Sequence, residues 1–200
     1  TNAEELRREL GFVPQDVVLI FVGWLYDFSG IDTIMQNLAE LPTNVKLLVV
    51  GTGDAEKHLR ELRQSMPLGE RVEFVGRQPY DLIPRFIAAS DVCVMYSELN
   101  EVTRHIIPIK IYEYMASGKP VISSQLPGVM REVPPGNGVL YALPDQLLKT
   151  MNRLLVEETR LLEGNRARAF AEAHCDWEKL TDDFEDLLVS ATTTRLHSQK

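Results

Sequence analysis

Short apolar runs of strand length, each followed by a stretch of helical period, most restrict what this chain can fold into. Val17-Val18-Leu19-Ile20-Phe21-Val22 is apolar at every position and stops at Gly23. Val45–Val50 is a second such run, stopped by Gly51-Thr52-Gly53. Shorter runs follow at Val72–Val75, Asp91–Tyr96, Lys119–Ser123 and Val139–Tyr141. A strand that is apolar on both faces of its pleat has to be covered on both faces, which a parallel sheet between two layers of helices achieves.

The intervening segments supply those helices. Ile31, Ile34, Met35 and Leu38 recur at the spacing of one helical face. Asp54 is placed to cap a helix carrying Leu59 and Leu62. Leu82, Ile83, Phe86 and Ile87 mark another helix, in which Pro84 is tolerated only within the first turn. A further helix is expected around Ile109–Ser117, closed by Gly118 as a left-handed cap. Pro134–Gly138 reads as a surface turn, and from about Leu143 the pattern is helical. Trp177, Leu180, Phe184, Leu187 and Leu188 form an apolar stripe on the last helix, with a frayed tail expected over Thr192–Lys200.

The expected fold is therefore an α/β, Rossmann-like three-layer domain with a mainly parallel sheet of about six strands and a helical carboxy-terminal segment. All 200 residues fit one such domain. Sheets of this kind bind ligands outside the carboxyl ends of their strands, so the loops after Val22, Val50, Val75, Tyr96 and Ser123 are where function should lie. A net charge of −8 without a basic patch argues against a nucleic-acid partner. Cys93 sits in an apolar run as a buried free thiol, and its separation from Cys175 has no ligand spacing. His58, His174 and His197 lack metal-type spacing as well. No apolar run approaches the roughly 20 residues of a membrane-spanning helix. The chain opens at Thr1 and reads as the interior of a longer protein.

Two loops could carry chemistry. Gly51-Thr52-Gly53 follows a strand and opens a helix, which suits either a phosphate-binding turn or a tight turn without a ligand. In the segment from Pro108 to Ile122, Lys110 and Glu113 stand three residues apart on one helical face near a helix start. That helix start and Lys110 would favour a diphosphate, and Glu113 could accept from ribose hydroxyls; a solvated ion pair is the alternative.

The segment Pro108-Ile109-Lys110-Ile111-Tyr112-Glu113-Tyr114-Met115-Ala116-Ser117-Gly118-Lys119-Pro120 resembles the signature of the carboxy-terminal domain of family 4-type GT-B glycosyltransferases. Phe21-Val22-Gly23-Trp24-Leu25 through Ser29-Gly30, then Val49–Asp54, Val72–Arg77 and Ala89–Val92 resemble the same domain in order and spacing. The resemblance implies a transferase domain that binds a nucleotide-diphosphate sugar along the carboxyl edge of the sheet. Gly23, Trp24, Ser29 and Gly30 would approach the diphosphate and sugar, with Gly51, Thr52 and Gly53 nearby. The backbone after Gly76, with Arg77, would read the base. Ile109, Ile111 and Glu113 would line the nucleotide, with Glu113 on the ribose. Lys110 and His105 would be the catalytic candidates. It further implies retention of configuration, no metal or other cofactor, and an acceptor-binding amino-terminal domain of the same protein, without which this segment is inactive. The acceptor would be a saccharide or glycolipid in cell-surface polysaccharide synthesis, in the cytoplasm at the membrane face.

The chain departs from that family at three places. Trp24 and Ser29 stand where an Arg and a Lys usually hold the diphosphate, and His105 replaces the first of two glutamates eight positions apart. Lys110, Arg104 and Arg77 are the cations available in their stead. Trp24 either stacks on sugar or packs at a domain edge. His105 is either a surface-loop residue or a contact to sugar hydroxyls. A non-catalytic nucleotide-binding or interaction module and a sugar-nucleotide epimerase of the same fold are the competing readings.

Overall fold

The computed structural model describes residues 3–197, with side-chain surroundings as far as residue 190. Its centre is a parallel sheet of β1 (Val17–Val22), β2 (Val45–Val50), β3 (Val72–Gly76), β4 (Val92–Met95), β5 (Val121–Ser124) and β6 (Val139–Ala142), ordered β3-β2-β1-β4-β5-β6. Around it lie α1 (Ala3–Glu9), α2 (Ile31–Ala39), α3 (Glu56–Ser65), α4 (Ile83–Ala88), α5 (Lys110–Ala116), α6 (Pro127–Glu132), α7 (Leu147–Arg153), α8 (Glu157–His174) and α9 (Trp177–His197).

The continuous apolar strands are buried on both faces, as their sequence requires. Leu19, Phe21, Leu47 and Val49 point to a core closed by α2, α3 and α7. Their neighbours Val18, Ile20, Leu48 and Val50 point to a second core closed by α1, α4, α5, α6 and α8. After β1 the chain builds β2 and β3 on one side, then crosses back to build β4, β5 and β6 on the other. The crevice this leaves at the carboxyl ends of β1 and β4 is the position where such sheets hold ligands.

One sequence expectation is corrected. Asp54 does not cap α3: the helix begins after Ala55 with no side-chain cap, and Asp54 Oδ2 instead accepts from the Trp24 indole at 3.2 Å. The apolar stripe of α9 is present, and its Trp177, Leu180, Phe184 and Leu187 are exposed. Of the tail expected to fray from Thr192, residues up to His197 are assigned to α9 and residues 198–200 lie outside the described residues. No helix among the described residues is long and apolar enough to cross a membrane.

Arg71 is a structural feature the sequence does not announce. Its guanidinium is buried and donates to the carbonyls of Val45 (3.1 Å), Leu38 (2.6 Å), Leu41 (3.1 Å) and Pro42 (3.0 Å). It thereby ties the carboxyl end of α2 to the loop after it and to the start of β2, at a position where a cation is also favoured by the helix dipole. Desolvation lowers its pKa.

Candidate functional site

Four loops meet above the crevice, and glycines let them approach. Gly51 has φ +143°, and a Cβ there would overlap the Gly23 carbonyl; at Gly53 a Cβ would overlap the backbone of Leu25. Backbone bonds lock the contact, with the Gly23 amide donating to Val50, Leu25 to Thr52 and Ala55 to Leu25, at 2.9, 3.0 and 3.0 Å. The Gly51 amide donates to the Gly76 carbonyl at 2.9 Å. Gly51-Thr52-Gly53 thus holds the loop after β1 in place. The Thr52 hydroxyl donates to Glu56 at 2.7 Å, which helps keep that carboxyl below its ordinary pKa.

Within the loop after β1, Ser29 turns inward: its buried hydroxyl accepts from the Tyr26 amide at 2.9 Å and donates to the Trp24 carbonyl at 3.4 Å. Gly30, at φ +63°, packs against the Tyr96 carbonyl. Trp24 faces outward beside Tyr26.

Helix α5 supplies the ionisable pair. Lys110 extends toward β1, where its ammonium lies 4.2 Å from the centre of the Phe21 ring. A Cβ on Gly23 would stand 2.7 Å from that nitrogen, so glycine makes room for it. Desolvation lowers the Lys110 pKa to about 8, against the opposing charge of Glu113. Tyr114, fully buried, accepts a hydrogen bond at 2.8 Å from the Val22 amide and so pins α5 to the end of β1. The Glu113 carboxylate accepts from the Tyr80 hydroxyl at 3.0 Å, which raises the Tyr80 pKa.

Two expectations about α5 change. Ile111 is a core residue, fully buried, with its amide donating to Pro108 at 3.1 Å. The Tyr112 amide donates to Ile109 at 3.0 Å. The tight entry through Pro108 therefore engages two amides that the sequence reading left free for a diphosphate. Ile109 is exposed.

These loops bound two cavities. One, of about 340 Å³, is lined by Gly23, Trp24, Gly51, Thr52, Arg77 and Gln78, among others. The other, of about 720 Å³, opens between α5 and α8 with Tyr80, Ile109, Tyr112 and Glu113 at one end. The structure so gathers Gly23, Trp24, Gly51, Thr52 and Arg77 at one cavity, with Lys110 packed behind Gly23, and Ile109 with Glu113 at the other; Ser29, Gly30 and Ile111 are buried, and Gly53 packs against Leu25.

His105 is exposed on the turn before α5, which is tied down by the Gly128 amide donating to Arg104 at 3.2 Å. Arg104 pairs with Glu101 at 3.2 Å. Tyr80 and Gln78, which the sequence reading passed over, come from the loop after β3; nothing local marks Tyr80, whose partner Glu113 is distant in the chain, whereas Gln78 donates to the nearby Val75 carbonyl at 2.8 Å. Among the described residues no group of three or more His, Cys, Asp or Glu side chains is placed to hold a metal.

Residues 2–185 match the family described as glycosyl transferases group 1. The chain is 24% identical over 192 residues to the N-acetyl-alpha-D-glucosaminyl L-malate synthase of Bacillus anthracis, covering 92% of this chain and 48% of that protein. It is 29% identical over 191 residues to the 2-deoxystreptamine glucosyltransferase of Streptomyces kanamyceticus, covering 92% and 46%. The fold superposes on Anabaena Alr3699/HepE in complex with UDP-glucose with a TM-score of 0.81 and 25% identity, covering 94% of this chain and 52% of that one. The chain spans about half the length of the curated relatives it matches. By the extent of the family match and by its fold, this chain belongs to the glycosyl transferases group 1 family.

Proposed function

We propose that this domain binds a nucleotide-diphosphate sugar at the crevice above β1 and β4 and presents it for transfer to a saccharide or glycolipid acceptor. The observation that carries this is the Lys110 ammonium held at Gly23, with Glu113 one turn further along the same helix. The base lies beside Arg77 and Gln78, the ribose hydroxyls donate to Glu113, and the diphosphate lies against Lys110. Tyr80 occupies one Glu113 oxygen and leaves the other for the ribose. In transfer, the bond from the anomeric carbon to the diphosphate oxygen breaks and its electrons go to the departing diphosphate. An acceptor hydroxyl forms the new bond and gives up its proton to the departing diphosphate oxygen, with configuration retained. Lys110 and Arg77 stabilise the charge that grows on the leaving group, a role worth about 3–4 kcal/mol for one well-placed donor. No metal is required.

Most of the acceptor site comes from a second domain of the same protein. Relatives about twice as long and the exposed apolar stripe on α9 support that reading. The 200-residue chain should accordingly bind donor and transfer almost nothing. Calorimetric titration with UDP, GDP and their glucose and mannose conjugates, first without metal and then with magnesium, tests the proposal. Saturable, metal-independent binding of one nucleotide, lost in Glu113→Gln, is the expected result. Binding that survives Glu113→Gln and Lys110→Met together would refute the placement, and robust transfer by the isolated chain would refute the need for a second domain.

A further inference from the structure

The loop between β1 and α2 carries three aromatic rings in a row. Trp24, Tyr26 and Phe28 occupy alternate positions; Tyr26 and Phe28 stack 4.8 Å apart at 7°, and Trp24 stands 6.3 Å from Tyr26 at 49°. Trp24 is 48% and Tyr26 46% exposed, whereas Leu25 between them is wholly buried. Leu25 anchors the loop, and three further contacts brace it. Its amide donates to Thr52, the Glu98 amide donates to the Phe28 carbonyl at 2.9 Å, and the Trp24 indole donates to Asp54. The rings are therefore held in position by the fold, and a ligand that stacks on them meets little ordering cost.

The polar groups beside the rings select what can stack. Next to Tyr26 is a cavity of about 250 Å³ lined by Asp27, Asp32 and His58 among others. Asp54 lies at the Trp24 end. Three carboxylates around an aromatic surface repel phosphate and accept hydrogen bonds from hydroxyls. The outer face of Tyr26, backed by Phe28 and flanked by the tilted Trp24 ring, with acceptors at its rim, matches a neutral pyranose ring, which offers a face of C–H groups and an edge of hydroxyls. A nucleotide would bring its phosphates against those carboxylates.

We propose that Trp24, Tyr26 and Phe28 form a stacking platform for a neutral pyranose ring of the acceptor saccharide, with Asp27 and Asp32 receiving its hydroxyls. Trp24 also lines the cavity assigned above to the donor, so a sugar on the platform lies alongside the nucleotide sugar. Naming this sugar the acceptor rests on the donor-site reading; the stacking itself does not. The platform also accounts for Trp24 at a position where the family usually has a cation. Phosphate contact passes to Lys110, and the side chain of residue 24 becomes free to meet a ring.

The chain contains two tryptophans. In a Trp177→Phe background Trp24 is therefore the single indole reporter, and Trp177 is itself exposed. Maltotriose and lactose are titrated into this protein while its emission is followed, with and without saturating UDP. The expected result is a saturable blue shift with a dissociation constant of about 1 mM, unchanged by UDP. Tyr26→Ala should weaken it at least about tenfold and leave UDP calorimetry unchanged, and Tyr26→Phe should restore it, which separates stacking from misfolding. No emission change with either saccharide up to about 50 mM would overturn the platform. So would a shift caused by UDP alone against which saccharide competes, because the rings would then serve the base. If UDP fails to bind while the saccharide shift remains, the donor reading falls and the platform stands.

Discussion

Replacing Lys110 with Met should weaken donor binding and at the same time stabilise the unliganded domain. The ammonium is half-buried at Gly23 and Phe21, with its pKa lowered to about 8, chiefly by desolvation. The unfolded chain holds that proton up to the ordinary value of 10.5, so between pH 8 and 10.5 the unfolded state binds more protons than the folded one. Stability therefore rises with pH across that window, and at pH 7 the charge is a burden on the fold. With its partial exposure allowed for, that burden is roughly 1–2 kcal/mol. Lys110→Met should recover that amount at pH 7, raising the melting temperature by about 2–8 °C for a domain of this size.

Binding has the opposite sign. A diphosphate restores the lysine pKa towards its ordinary value, so donor affinity is nearly flat below pH 7 and falls once the free lysine deprotonates. At pH 9 the free side chain is about one-tenth charged, and affinity should be about tenfold below that at pH 7. Calorimetry of wild type, Lys110→Met and Lys110→Arg at pH 7, 8 and 9 reads this directly. The arginine variant, charged throughout, should lose the slope, and any titration of the ligand itself is common to all three proteins. Equal affinity and equal slope in wild type and Lys110→Met would refute the assignment, as would a Lys110→Met domain that melts lower than wild type.

Four further outcomes follow from the packing. Arg71→Met keeps the aliphatic stem but removes the donor to the carbonyls of Leu38, Leu41, Pro42 and Val45, and urea titration should show a loss of about 1–3 kcal/mol. Gly51→Ala should cost more than about 2 kcal/mol and abolish donor binding, since its Cβ collides with the Gly23 carbonyl at φ +143°. Gly118→Ala, at φ +68° with only the Arg168 side chain 3.8 Å away, should cost about 1 kcal/mol and leave calorimetric donor binding intact. Tyr114→Phe leaves the buried Val22 amide without its acceptor, for about 1–3 kcal/mol in thermal melts, and should weaken donor binding by loosening α5 from β1.

The strands, most helices and the layer architecture were legible in the sequence because burial leaves a one-dimensional trace. A run apolar on both pleat faces can only lie inside, and Ile31, Ile34, Met35 and Leu38 all reach the core as their spacing predicts. Gly23, Gly51 and Gly118 mark the sharp ends of elements for an equally local reason, the positive φ each adopts. Polar partners leave no such trace. Asp54 had the look of a helix cap, yet the loop from β1 passes close enough for the Trp24 indole to take it. Ser29 and Ile111 sat at ligand-facing positions of a motif, yet one closes a turn and the other fills the core. Tyr80 and Glu113 are 33 residues apart, and Arg71 serves carbonyls 26 to 33 residues away. The sequence by itself determined which segments are buried, since apolar area is removed from water whichever neighbour removes it. Only the tertiary structure decided where each hydroxyl, amide and charge went, because a hydrogen bond requires one particular partner at one distance and angle.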